Sequence, residues 1–347
     1  MEGMDPSIFL ILVQDGLTSG AIYALLALSL VLVFTVTRVI FIPQGEFVAF
    51  GALTMATLEA GEFPRTAIML LGLGIAAAIA GYLAERRVIT KRRLAWLIAE
   101  TLLLPAVIFV LALWLAPRKP GLLPEMLLAL AIVTPMGPYI HRIAFRPLAE
   151  ASTLVLLIAA VGVHLTLTGF GLVFFGAEGS RTTSFASGSL ALGPVMVTGQ
   201  SLFVLGASIA LAFMLYLVFE LSLIGKALKG TAVNRLGARL VGIEPSLCGR
   251  IAFGVAAFIG ALSGLLIGPI TTVYYDSGFL IGLKGFVAAI VAGLVSYPAA
   301  AAAALAIGIM ESLASFSASA FKEVIVFTAI IPVLLWRSLV HTRLGEE

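Results

Sequence analysis

Charge is scarce in this chain. Only 11% of its 347 residues are Asp, Glu, Lys or Arg, while 61% are hydrophobic. Soluble domains carry about 25% charged and about 45–50% apolar residues, so a water-soluble fold is excluded because it could not hide this much apolar surface. Cysteine is nearly absent. Cys248 stands alone, which rules out an internal disulfide and leaves the redox compartment open. The three histidines show no close His/Glu pairing of the kind that holds a metal on one helix face. No Gly-x-x-x-x-Gly-Lys-Ser/Thr loop occurs, and the pair Gly225 and Lys226 lacks both the earlier glycine and the following hydroxyl residue, so nucleotide hydrolysis has no seat here. The acids fall mostly at the ends of apolar runs, leaving no paired carboxylates for acid–base chemistry.

What remains is membrane material. Mean hydropathy is +1.14, and a bilayer-spanning helix needs about 20 mostly apolar residues, so the length accommodates about ten spans and little soluble domain. Apolar runs fall at 9–37, 47–60, 66–84, 94–116, 122–140, 151–176, 199–221, 250–273, 281–296, 298–316 and 321–338. The first lacks a basic leader and a small-residue cleavage site, so it is expected to be a retained span. The run 47–60 is preceded by Pro43 and Gly45, and 281–296 is bounded by Gly278 and Pro298. Both are short for a span, and either is a candidate half-helix. The expected fold is all-α: a polytopic membrane helix bundle of about ten transmembrane helices, one or two of them short or broken, forming a single domain over 1–347.

The net charge of +3 and pI near 9.1 reflect topology and not nucleic-acid binding, because the basic residues sit in short clusters between apolar runs. If every run crosses, Arg38, the connectors 86–93, 141–150 and 222–250, and the tail from Arg337 share one side and hold 15 of the 21 Lys and Arg residues. Such a bias marks that side as cytoplasmic and places the N-terminus outside. The opposite side carries the Gly-, Ser- and Thr-rich connector 176–199, expected to be a solvent-facing loop available to a periplasmic partner. Small residues within spans, among them Gly260, Gly264, Gly268 and the alanines 299–304, permit close helix approach.

The most informative segment is 225–243. It is too polar to span, with Ala232, Leu236 and Leu240 at helical spacing and Asn234, Arg235 and Arg239 on other faces. A short amphipathic helix ended by Gly242 and lying on the cytoplasmic face is expected, either at a protein groove or on anionic lipid. Intramembrane charge costs about 2.5–3.5 kcal/mol per residue on insertion scales, so Glu46, Lys284 and Glu311 need a reason. For Glu46 and Lys284 that reason is a conduction pathway, a helix-end snorkel or an internal ion pair holding the bundle together. Glu311 favours the structural role, and Glu100 and His164 read as bundle-facing groups satisfied by neighbours. At Gln44, Gly45 and Glu46 the helix break frees backbone groups at membrane depth, which is tolerable only in protein or beside a water-filled cavity. Gln44, Gly45, Glu46 and Lys284 are therefore candidate lining for an anionic or zwitterionic substrate.

Three segments in order resemble the permeases of branched-chain amino acid ABC importers. Residues 225–243 look like the family's cytoplasmic coupling loop, with a Gly-x-Ala-Leu start and a Leu-x-Gly-Ile end. Asp15-Gly16-Leu17 through Ala24-Leu25, with Gln44-Gly45-Glu46-Phe47, is similar to its N-terminal pattern. Lys284-Gly285-Phe286, Ala288-Ala289, Gly293, Ser296, Pro298, Gly308 and Glu311 resemble its C-terminal run. The resemblance covers 10–55 and 141–338. It implies a coupling loop at 222–250, with Gly230, Ala232, Asn234, Leu240, Gly242 and Ile243 docking on an ATPase. It also implies a second homologous permease subunit, two cytoplasmic ATPase subunits that carry ATP-Mg, a periplasmic substrate-binding protein, and location in a bacterial inner membrane with the coupling loop and C-terminus cytoplasmic. No cofactor is expected in this chain, and it is not expected to be an enzyme.

The chain departs from that pattern in three places. Phe41 replaces the family's Asn, with Pro43 beside it, and Val295 and alanines replace glycines around 295–303. The family's Glu-Arg-x-x-Tyr/Phe-Arg-Pro-Leu elbow matches His141 to Leu148, but a related basic elbow from Glu85 to Arg93 comes first, so 94–140 is expected to be a two-helix insertion that restores the same side. A secondary transporter driven by an ion gradient is the main alternative, since it needs embedded acids such as Glu46 and Glu311. A membrane enzyme acting on lipid or isoprenoid would show an Asp- or His-rich interfacial cluster, and none is visible.

Overall fold

The computed structural model describes residues 6–85, 90–192, 195–329, 331–333 and 335. Part of the first basic elbow and the tail from Arg337 lie outside them. The long helix α1 (Pro6–Thr37) is followed by α2 (Gln44–Ala60), α3 (Thr66–Glu85), α4 (Lys91–Leu115), α5 (Leu122–Val133) and α6 (Met136–Ile140). A π turn and a 3-10 turn complete the elbow to Leu148. Then come α7 (Thr153–Phe175), the hairpin strands β1 (Ser189–Leu192) and β2 (Val195–Thr198), and α8 (Gly199–Leu221). The amphipathic segment forms α9 (Leu223–Val233) and α10 (Arg235–Leu240). Helices α11 (Pro245–Ile267), α12 (Ser277–Val291), α13 (Tyr297–Ser317) and α14 (Lys322–Thr328) close the bundle.

Eight of these segments are long and apolar enough to cross a membrane. Helices α2 and α12 are shorter, as the flanking Pro and Gly signals predict, and the run 321–338 begins as α14 and continues past the described residues. Polar punctuation sets several starts: Thr90, Ser152, Thr198, Ser222 and Ser296 each accept a first-turn amide hydrogen at their side-chain oxygen.

The centre of the bundle is α1, buried over most of its length and packed by α8, α11, α12 and α13. Gly16 and Gly20 let α13 approach until a Cβ at Gly20 would lie 2.9 Å from Leu305 Cα. Gly260 and Gly264 of α11 do the same for α2, and the small-residue stripes seen in the sequence are these two contacts. By contrast α3, α4, α7 and α8 expose large apolar side chains outward, among them Ile79, Leu103, Ile158 and Ile209. This is the surface of a protein solvated by lipid tails.

Two expectations are refined. The 225–243 segment is two helices and not one, because Asn234 leaves helical geometry (φ −151°, ψ 103°) and turns its side chain to cap α10. The connector 176–199 is stitched down. Ser180 and Val273 exchange backbone hydrogen bonds of 2.9 Å, Arg181 donates to the carbonyls of Pro269 and Ile270, and Thr183 donates to Glu59 through its amide and hydroxyl. Around these attachments the connector is exposed as expected, at Glu178, Ser187 and Gly188 among others, and the β1–β2 hairpin adds exposed Leu190 and Met196.

Candidate functional site

The chain breaks at residues 38–43, where Arg38 takes a positive φ of 62°, and restarts as α2 in the middle of the bundle. Its first residue, Gln44, is fully buried and donates through Nε2 to the Ala256 carbonyl at 2.9 Å. Ala256 is the middle residue of α11, so α2 begins at mid-depth. Glu46, also fully buried, meets His164 Nδ1 at 3.0 Å, and His164 is the middle residue of α7. The His164 ring lies 4.6 Å from that of Phe279 in the first turn of α12. Gly45 packs directly on Gly278 and Gly282; a Cβ at Gly282 would lie 2.7 Å from Gly45 Cα. The N-terminal ends of two short helices thus meet halfway across the bundle, and both present the positive end of their dipoles there. Gln44 Oε1 and Glu46 Oε2 are buried and accept no hydrogen bond among the described residues. Beneath them Phe41, Phe47, Phe145 and Phe253 form an aromatic plug, with Phe41 and Phe253 centroids 4.7 Å apart. The departure at Phe41 therefore seals the junction on the side facing the basic elbow at His141–Leu148.

Lys284 lies elsewhere. Two residues beyond Gly282 it is turned by about 200° around α12, and its ammonium sits 2.5 Å from Glu311 and 3.2 Å from Glu323, over the Tyr23 ring. Tyr23 donates to the other Glu311 oxygen at 2.7 Å. The two short helices meet at Gly45, Gly278 and Gly282, but the lysine belongs to a network tying α12 to α1, α13 and α14. Sequence reasoning missed Tyr23 and Glu323 as its partners; an acid 39 residues on and a tyrosine inside an apolar run carry no local signal. Glu100, expected to be satisfied by neighbours, is held by Arg250 and lies 3.9 Å from Arg142.

At the end of the bundle that carries the basic connectors, α9 packs Leu228 against Leu32, Val36, Cys248 and Ala252. Thr231 donates to Cys248 Sγ at 3.3 Å. Asn234 Oδ1 accepts from the Gly237 amide at 2.9 Å, and Arg235 reaches back to the carbonyls of Val36 (2.9 Å) and Ala149 (3.3 Å). Burial, with Arg38 and Arg239 close by, pulls the Arg235 guanidinium below its usual range, and it remains charged. Gly242, at φ 84°, ends α10, and the Ile243 amide donates to Ala238. This bracing leaves Val233, Leu236, Leu240 and Val241 outward, each at least two-thirds exposed. Of the predicted docking residues, Leu240 is on that outer face, Gly230 and Ala232 are half-buried, Asn234 is the hinge cap, and Gly242 and Ile243 line a groove of about 600 Å³ with Arg146, Arg239 and Pro245.

A bundle of long apolar helices enclosing two short ones that meet end to end at mid-depth is a multi-pass membrane protein of transporter type. The model of the family described as branched-chain amino acid transport system / permease component matches residues 12–335, and the chain belongs to that family. It is 25% identical over 328 residues to the high-affinity branched-chain amino acid transport system permease protein LivH of Salmonella typhimurium, covering 92% of this chain and 91% of that protein. It is 29% identical over 214 residues to LivH of Escherichia coli K12, covering 60% and 70%. To BraD of Pseudomonas aeruginosa, named likewise a branched-chain amino acid permease protein, it is 26% identical over 226 residues, covering 62% and 74%. No solved structure matches the chain.

Proposed function

We propose that the chain is the membrane-spanning subunit of an ATP-driven importer in a bacterial inner membrane, passing a branched-chain amino acid or a related small carboxylate. A periplasmic binding protein delivers the substrate, a second homologous permease completes the pathway, and two cytoplasmic ATPase subunits carrying ATP-Mg supply the work. The observation that supports this most is the braced α9–α10 segment. A rigid hinge with an exposed apolar face at the basic, cytoplasmic end transmits force from a docked partner, whereas a floppy loop does not. The segment's hinge (Asn234) and clamp (Arg235) connect it to α1 and to the elbow at Ala149.

The α2–α12 junction is the passage. Its paired helix N-termini suit a substrate carboxylate, and the free acceptors on Gln44 and Glu46 suit its ammonium group. Passage requires α12 to move off Gly45, and Lys284 supports it by holding α12 to α13 and α14. The helices α4 and α5 are the two crossings that 94–140 adds. Coupling is tested by replacing Gly242 or Ala232 with a bulky residue: ATP-dependent uptake is lost while the protein stays folded in the membrane. Normal uptake by both variants contradicts the coupling role.

A further inference from the structure

Helix α7 carries a histidine on its inward stripe. That stripe is Leu156, Ala160, His164, Leu167 and Gly171, spaced by three or four residues, while Val161 and Leu165 face outward. His164 is 14% exposed, meets the fully buried Glu46 at 3.0 Å and lies 4.6 Å from the Phe279 ring, so one imidazole touches both short helices. An ionised carboxylate only accepts, so Nδ1 carries the hydrogen of that bond. Thr168, one turn further on, spends its hydroxyl on the His164 carbonyl at 3.0 Å.

Buried polar groups are paired as a rule, and each exception asks for a reason. A histidine that served only to neutralise Glu46 would form a closed pair with it. This pair is open: Glu46 Oε2, the neighbouring Gln44 Oε1 and His164 Nε2 have no hydrogen-bond partner among the described residues. With Oε1 tied to α7, the Glu46 carboxylate cannot spin about its last bond. Its second oxygen is therefore buried, unpaired and fixed in direction beside the contact of Gly45 with Gly278 and Gly282.

Resting on the reading of this junction as the passage, we propose that His164 is a positioning residue for the ammonium group of the substrate. By holding Oε1 it presents Oε2 of Glu46 as the acceptor, and its contact with Phe279 ties that alignment to the place of α12. When α12 moves off Gly45 the ring loses its Phe279 wall and Glu46 its fixed direction, so the ammonium is gripped in one arrangement and released in the other. The ring also sets the charge that the ammonium meets. Histidine changes charge between pH 5 and 8. The titratable groups around it are Glu46 on α2, Asp276 at the start of α12, which acts on Glu46 electrostatically, and Tyr275, packed on Gly171 two turns along α7. Neutral His164 leaves Glu46 its negative charge for the ammonium, whereas the imidazolium offsets it. Recognition of the ammonium therefore weakens as pH falls.

The test uses the assembled transporter in nanodiscs without its binding protein. Binding of radiolabelled leucine is compared with that of 4-methylpentanoate, the same molecule without its ammonium group, and the ratio of affinities is followed from pH 8 to pH 6. The parent is expected to prefer leucine at least tenfold at pH 8, with the ratio falling severalfold by pH 6. His164→Asn keeps a donor at the place of Nδ1, retains at least half of the preference at pH 8 and holds it constant with pH. His164→Leu loses the preference, with melting temperature read alongside because Glu46 is stranded; where that variant does not fold, the pH profile of His164→Asn decides alone. A ratio in His164→Asn that follows pH as the parent's does, or an undiminished preference in a folded His164→Leu, overturns the proposal and leaves the histidine a packing partner of Glu46. Glu46→Gln separates this from the reading beneath it. If Glu46→Gln keeps the parent's preference, the junction does not hold the ammonium and the passage reading fails too; if it loses the preference while the histidine variants behave as the parent, the passage stands and only the role of His164 falls.

Discussion

Replacing Lys284 with Met removes the one cation that a buried network holds among the described residues. The lysine side chain is only 6% exposed, and its ammonium holds Glu311 at 2.5 Å and Glu323 at 3.2 Å. Removing one partner of a buried pair costs about 3–5 kcal/mol, because the remaining charge is left uncompensated. Glu323 is about a third exposed and recovers part of this from water, so the lower end, about 3 kcal/mol, is expected. At roughly 2 °C per kcal/mol for a chain of this size, the melting temperature drops by about 6 °C. The second change Glu311→Gln neutralises the closer stranded carboxylate, and the double variant regains more than half of the loss, the coupling a double-mutant cycle reads directly. The assay is thermal unfolding of the detergent-solubilised chain, run beside uptake and beside binding-protein affinity, which stays unchanged. A Lys284→Met chain that melts with the parent yet transports nothing refutes this reasoning and makes the lysine a direct substrate contact. One that melts and transports like the parent removes it from both roles.

Gly45→Ala places a methyl group against the Gly278 carbonyl, an overpacking that costs about 1–3 kcal/mol; uptake falls more steeply than stability, and an unchanged rate sinks the α2–α12 junction as the passage. Asn234→Ala deletes the α10 cap, worth about 1 kcal/mol, and uncouples ATP hydrolysis from uptake, while retained coupling shows that the hinge at Asn234 carries no force. Cysteines at Arg118 and Arg92, at opposite ends of α4 and its 3-10 extension, are labelled from opposite sides by an impermeant reagent; labelling from one side means that α4 does not cross.

The half-helices were legible because their signals are local. Pro43 and Gly45 interrupt one apolar run, Gly278 and Pro298 bound another, and proline and glycine act within a turn of where they sit. The cost of burying Glu46 and Lys284 was legible too, since it depends on residue type and depth alone. Their partners were not. His164 is 118 residues from Glu46, and the direction of Lys284 follows from which side of α12 meets Gly45, a tertiary fact. At 225–243 periodicity suggested one helix, but Asn234 competes for its own backbone neighbourhood as a cap and won. The face left outward is Val233, Leu236, Leu240 and Val241, since Leu228, Thr231 and Ala238 turn inward. The connector 176–199 has the composition of a free loop, and its attachments run from the Ser180 backbone, the Arg181 guanidinium and Thr183 to Val273, Pro269 and Glu59, partners that composition does not reveal.

The central claim is that this chain moves its substrate with work supplied through α9 and α10 and has no coupling ion of its own. Proteoliposomes containing the chain with its second permease, ATPases and binding protein test it by uptake of radiolabelled leucine, measured with and without ATP and with an ionophore. Uptake that requires ATP and the ATPase subunits, and that persists when the ionophore collapses the ion gradients, is the predicted result. Uptake that continues without the ATPases and stops with the ionophore would contradict the account and make Glu46 and Glu311 the groups that carry the coupling ion.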